Sequence, residues 1–198
     1  MKKVNKADKI ELKKAEILDA LKRCLLKDVY SQISFNDVAD EAGMSKGGVR
    51  HYFPTKESLF MGLIEDFFNT IEEEQINVIK AATKMSDKAL LSTMYSIEKF
   101  LMNQDNVIIM MNIIIYSFED NKIKELVRSF LRHHLQLFEN LMKDLANDTN
   151  IDQNQVRQIS RTIQVILLST GIIQTLDPIE YDTNSMMRTV LSLLKMKI

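Results

Sequence analysis

Tryptophan is missing from this 198-residue chain, cysteine occurs once, proline twice and glycine five times. A single cysteine, Cys24, cannot form an intrachain disulfide, and a cysteine-rich metal site is excluded with it. So few prolines and glycines, with few runs alternating at period two, predict an all-α chain. No apolar run approaches the roughly 20 residues that cross a bilayer; the most apolar, "VIIMMNIII" at 107–115, is far too short. The amino terminus, "MKKVNKADKIELKK", is charged but has no apolar segment behind it, so no signal peptide is visible. A soluble, cytoplasmic protein without a membrane partner is expected. Also missing are a Gly-rich phosphate loop, a His/Cys ligand spacing and a nucleophile motif, so neither enzyme, cofactor nor metal is expected. "EEE" at 72–74 reads as a solvated helix face.

What is present is apolar bulk and an uneven charge. Apolar residues make up 45% of the chain, enough for a sizeable core, and the net charge is −1. That near-neutrality conceals a division. Residues 1–56 carry 12 Lys/Arg against 8 Asp/Glu, whereas residues 57–198 carry 14 against 19. A basic front and an acidic rear suggest that the front meets a polyanion.

Helical periodicity predicts a first helix over 7–28, with Ile17, Leu18, Leu21 and Leu25 on one face. Ser34-Phe35-Asn36-Asp37 matches a capping box and starts a second helix, which Gly43 stops as an αL cap. Ser45 caps a short third helix ending near Phe53. Pro54 breaks the chain, Thr55 caps the next helix, and that one runs from Lys56 to about Ala82. Five further segments of helical period lie near 86–103, 105–117, 121–147, 152–176 and 183–197, giving about nine helices in total.

The stretch from 34 to 60 carries the chemistry. With Phe35 as position one of a helix-turn-helix, Ala39 is fifth, Gly43 ninth and Val49 fifteenth. The fifth residue sits where the helices cross and must be small. The ninth turns the chain with positive φ, which glycine does without strain. The fifteenth plugs the second helix into the core. An ordinary helical hairpin could share this turn. The third helix, however, has few apolar residues beyond Val49 and Phe53, and its outer face presents Lys46, Arg50, His51 and Tyr52. Gly47 and Gly48 lie inside it, each costing about 1 kcal/mol relative to alanine. They would clear side chains from its leading end so that backbone can approach a groove.

Arg50 is suited either to a guanine edge or to a phosphate, and Lys46 to either. His51 and Tyr52 are phosphate donors, Tyr52 alternatively packing on the first helix. Lys56, with the amides behind Thr55, suits one phosphate. Ser34 and Ser45, capping two helices, offer further phosphate contacts. Lys13 and Lys14 read as a solvated face.

"AEILDALKRCLL" followed by "ISFNDVADEAGMSKGGVRHYFPTKESLF" resembles the amino-terminal signature of the TetR family of transcriptional regulators, over about residues 12–64. Val29 replaces the glycine common after the first helix in that family. Arg50 and Tyr52 replace the usual tyrosine and histidine of its recognition helix, so base preference does not carry over. The resemblance implies a helix-turn-helix DNA-binding domain at 1–54 and a helical effector-binding and dimerisation domain at 55–198. It further implies a homodimer on a palindrome-like double-stranded operator, most often as a repressor released by a small molecule.

In the rear half, the stripe Val127, Phe130, His134, Phe138, Leu141 and Leu145 carries one histidine, which reads first as a core residue. His133 points elsewhere, so the pair makes no metal site. Pocket candidates for a largely apolar effector are Met94, Tyr95, Met110, Met111, Tyr116, His134, Phe138 and Gln164. Two terminal stripes, Val156, Ile159, Ile163, Ile166 and Ile173, then Met187, Val190, Leu191 and Leu194, fit either a dimer interface or an intrachain core. A helical interaction module that reads no DNA is the rival expectation.

Overall fold

Local capping chemistry sets where the helices begin. The computed structural model describes residues 5–82, 103–146 and 152–180, with the single positions 95, 99, 182, 185, 189 and 192. Seven helices have described bounds, and no strand occurs among the described residues. They are α1 (Lys6–Leu25), α2 (Phe35–Glu41), α3 (Lys46–Tyr52), α4 (Lys56–Ala81), α5 (Gln104–Tyr116), α6 (Asn121–Ala146) and α7 (Gln153–Leu176). The segments expected at 86–103 and 183–197 lie almost wholly outside the described residues.

Reciprocal capping boxes open three of these helices: Asn5 with Asp8, Ser34 with Asp37, and Asp152 with Gln155. Thr55 opens α4 in a similar way. Its Oγ1 accepts from the Ser58 amide at 2.9 Å, and its own amide donates to Ser58 Oγ at 3.1 Å. The Ser34 amide donates to Asp37 at 2.7 Å, and this bond holds the Asp37 carboxyl below its usual range.

The chain divides into two compact units. The first joins residues 1–70 to 108–126, and the second joins 71–107 to 127–198. In the first, α1, α2 and α3 pack on one another. Ile17 and Leu21 of α1, Val38 of α2, Val49 of α3 and Phe60, Leu63 and Ile64 of α4 are fully buried. So are Ile113 and Ile123 from the returning segment. Ion pairs tie α1 down from outside: Arg23 and Lys27 both grip Glu41, at 2.7 and 2.8 Å, and Lys22 meets Asp66 at 2.8 Å. In the second unit Phe130, Phe138, Val156, Ile163 and Leu167 are buried. Glu74 there accepts from Lys99 and from the Tyr95 hydroxyl, each at 2.9 Å.

Candidate nucleic-acid interface

The turn between α2 and α3 is made by Gly43, whose φ of +63° is the only positive φ among the described residues. A side chain would be strained in that left-handed conformation, so glycine is required there. Ala39 and Val49 are both buried, as their positions in the motif demand. Ser45 caps α3, its Oγ accepting from the Gly48 amide at 3.1 Å. Ser34 Oγ is likewise committed to the amides of Asn36 and Asp37. Both serines shape the surface through their caps.

Val49 faces inward, so the other side of α3 is open. Lys46, Gly47, Arg50 and His51 are exposed, Gly48 and Tyr52 half-buried. Neither Lys46 nor Arg50 makes a hydrogen bond or ion pair among the described residues, in contrast to Lys22, Arg23 and Lys27. Lys13, Lys14, Lys22, Arg23 and Lys27 are each neutralised by a carboxylate, whereas the cations of this helix, among the described residues, are not. Among the described residues, a Cβ placed on Gly47 would meet nothing closer than Ser45 Oγ at 4.0 Å, so none of them demands glycine there. The Arg50 guanidinium lies over the Phe35 ring, 5.1 Å from its centroid. Tyr52 sets its ring edge-on to His51.

Lys56 is less free than its position at a helix start suggests. Its ammonium donates to the Ser31 carbonyl at 3.1 Å and sits over the Tyr30 ring at 4.6 Å. Burial pulls its pKa down. Part of its donor capacity is spent holding the turn before α2.

Tyr30 organises that turn, and sequence reasoning passed over it. Its hydroxyl donates to the Lys56 carbonyl at 2.7 Å, and its amide donates to Asn112 Oδ1 at 3.1 Å. Its ring stacks on Phe60 at 3.7 Å and meets Tyr116 edge-on at 4.7 Å. Burial raises its phenol well above the usual range. Lys122 pairs with Glu57 at 2.9 Å on the same unit. Gly62 was also missed: a Cβ there would lie 2.8 Å from Phe53 Cε1. A glycine inside a long helix was the available signal, since it is costly without a close neighbour.

The pocket candidates are distributed over both units. Met110, Met111 and Tyr116 belong to the first unit, and Tyr95, His134, Phe138 and Gln164 to the second. Met94 lies outside the described residues. His134, Phe138 and Gln164 do line one small apolar pocket, open to solvent, with Phe130, Leu131, Leu167 and Leu168. The Gln164 amide donates to the Leu131 carbonyl at 2.8 Å and accepts from Arg161 at 2.7 Å. Among the described residues, no group of three or more His, Cys, Asp or Glu is placed to hold a metal ion.

Of the interface candidates, Val156 and Ile163 are buried within the unit, Ile159 and Ile166 are half-buried, and Ile173 is exposed. Val165 and Leu176 join Ile173 on the outer side of α7. Met187, Val190, Leu191 and Leu194 lie outside the described residues.

Burial, with a smaller contribution from His133, pulls the His134 imidazole down to about 4. Its folded-state pKa thus lies below the unfolded one, so the unfolded chain binds more protons between about pH 6.5 and 4. Stability present above that window should be lost as pH falls through it, by up to roughly 3 kcal/mol. Denaturation series from pH 7 to pH 4 should show this slope in the native protein and a flatter one in His134→Gln. An equal slope in both would place the acid sensitivity elsewhere.

A turn-linked helix pair presenting a short, glycine-led, unpaired basic face defines a helix-turn-helix protein. Comparison with known proteins agrees. The family model for bacterial regulatory proteins of the tetR family matches residues 17–62. YfiR of Bacillus subtilis (strain 168), an uncharacterized HTH-type transcriptional regulator, is 38% identical over 63 residues. That alignment covers 32% of this chain and 30% of YfiR, so the chain spans less than a third of this relative.

Solved structures extend the likeness in fold. A protein of Pseudomonas aeruginosa PAO1, proposed as a transcriptional regulator, superposes with a TM-score of 0.84 at 14% identity, over 93% of this chain and 89% of its own. A TetR transcription regulator from Haloarcula marismortui ATCC 43049 gives 0.78 at 16% identity, over 93% and 95%. FadR from Bacillus subtilis, solved with stearoyl-CoA, gives 0.76 at 18% identity, over 93% and 98%. Residues 17–62 thus resemble the amino-terminal part of tetR-family regulators, and the fold is similar to that of the solved TetR regulator from Haloarcula marismortui.

Proposed function

We propose that this chain is a homodimeric, ligand-controlled DNA-binding transcriptional regulator, acting in the cytoplasm as a repressor. One observation carries the DNA-binding part. The exposed face of α3 holds Lys46 and Arg50 without ion partners among the described residues, beside Gly47, which no packing contact among them requires. DNA reading is assigned to residues 1–54, and effector binding and dimerisation to 55–198. Two copies of α3 would enter successive major grooves, about 34–36 Å apart.

The outer side of α7 supports the dimer, since Val165, Ile173 and Leu176 are exposed together. By length and hydropathy alone α7 would also reach across a bilayer. Against that reading, its Ser160 and Gln164 are buried, and Gln164 bonds the Leu131 carbonyl of α6. The apolar lining around His134 and Phe138, from Phe130, Leu131, Leu167 and Leu168, supports a largely apolar effector. FadR from Bacillus subtilis, a relative in fold, is solved with stearoyl-CoA, a ligand whose acyl chain is apolar. An effector would act by favouring a spacing of the two α3 helices that does not fit DNA, with a coupling of typically 1–3 kcal/mol. No cofactor is required.

Selection from a library of random duplexes tests this reading. An enriched palindrome, bound less tightly as salt rises, is the expected result. Absence of any enriched sequence, with binding indifferent to salt, would leave the protein as a helical interaction module and overturn the proposal.

A further inference from the structure

In a helix-turn-helix, base edges are met chiefly by the first residues of the second helix, while the first helix crosses the phosphate backbone. Arg50 is the fifth of the seven residues of α3, past the leading turn of Lys46, Gly47 and Gly48. Its guanidinium lies over the ring of Phe35, the first residue of α2, at 5.1 Å. Phe35 is itself buried and follows the Ser34 cap, so the ring is a fixed platform. A cation within about 6 Å of a ring face is attracted by the ring quadrupole. The side chain is thereby drawn back towards the helix that runs over the backbone and away from the leading end of α3. No carboxylate competes for it among the described residues, and its guanidinium makes no hydrogen bond there.

We propose that Arg50 clasps a DNA backbone phosphate and does not read a base, and that Phe35 is the residue that positions it. The inference rests on the DNA-binding reading above. A guanidinium fork suits phosphate oxygens as well as a guanine edge, so chemistry alone does not choose between them. Placement does. Sequence preference then falls to the leading turn, to Lys46 and to the backbone exposed by Gly47.

The test uses the full-length protein, its selected duplex and a scrambled duplex, with binding measured across a salt series. Arg50→Ala should weaken both duplexes by a similar factor, roughly tenfold or more. The slope of log affinity against log salt should fall by about one phosphate's worth, near 0.9. Arg50→Lys should keep the sequence preference and most of the slope. Phe35→Leu, with its folding checked by thermal melting, should reproduce part of the Arg50→Ala loss and add nothing in the Arg50→Ala background. Loss of preference in Arg50→Lys, with the selected duplex alone weakened in Arg50→Ala, would make Arg50 a base reader and overturn the proposal. Additive effects of the Phe35 and Arg50 changes would overturn the positioning role. A native protein that enriches no duplex would instead refute the DNA-binding reading on which both rest.

Discussion

Gly47→Ala is expected to make the free protein more stable and its hold on DNA weaker. Among the described residues, a new Cβ at this position meets only Ser45 Oγ, at 4.0 Å. The backbone there is ordinary right-handed helix, so alanine fits without strain. Alanine is preferred over glycine in a helix by about 1 kcal/mol. For a chain of this size that corresponds to a melting temperature higher by roughly 2–4 °C. The same methyl group occupies the surface that α3 presents to a major groove. Losing one close groove contact costs about 1–3 kcal/mol, or roughly ten- to a hundredfold in affinity. Thermal melting and fluorescence anisotropy on the selected duplex would check both signs. A stabilised variant that binds DNA as well as the native chain would show that this leading turn does not approach the duplex. Gly48 is the weaker position for this experiment, because its Cβ would crowd Ser45 Oγ at 3.3 Å and Met44 Cε at 3.4 Å.

Gly62→Ala should have the opposite effect on folding. Its Cβ would stand 2.8 Å from Phe53 Cε1, well inside contact distance. Phe53 is buried where α3 ends, and its ring lies against the second turn of α4. Either the ring leaves its place or the two helices separate, and overpacking of this kind costs about 1–3 kcal/mol. A fall in melting temperature of several degrees follows. Phe53→Leu in the same chain should relieve part of the clash, so the double variant should be more stable than the two single changes added together predict. An unchanged melting temperature in Gly62→Ala would mean that the ring yields freely. The two glycines, fifteen residues apart, thus have contrary reasons: one leaves room for something outside the chain, the other for a neighbour within it.

Much of the architecture could be read from local chemistry. Caps and breakers are short-range devices, so Ser34, Gly43, Ser45, Pro54 and Thr55 placed α2, α3 and the start of α4 to within about a residue. Ala39, Gly43 and Val49 took the burial and backbone geometry that their spacing required. The commitments of individual cations were not legible. Whether Lys56 points outward or folds onto Ser31 and Tyr30 depends on where a residue 26 positions earlier comes to lie. The Tyr30 amide finds its acceptor 82 positions away, at Asn112, and no periodicity encodes that. In α7 the limit was different. That helix is apolar on two sides, and a repeat of three and four cannot distinguish Val156 and Ile163, which face in, from Val165 and Ile173, which face out.

The Tyr30–Asn112 bond, with Phe60 and Tyr116 around the same ring, bears on how such regulators can be recombined. The compact unit that carries α3 takes in residues 108–126 as well as 1–70. A chimera that grafts the first 54 residues onto another effector body would strand Tyr30 without Asn112, Phe60 or Tyr116. The portable piece is two stretches of chain inherited together, and a substitution in one is best matched by a change in the other.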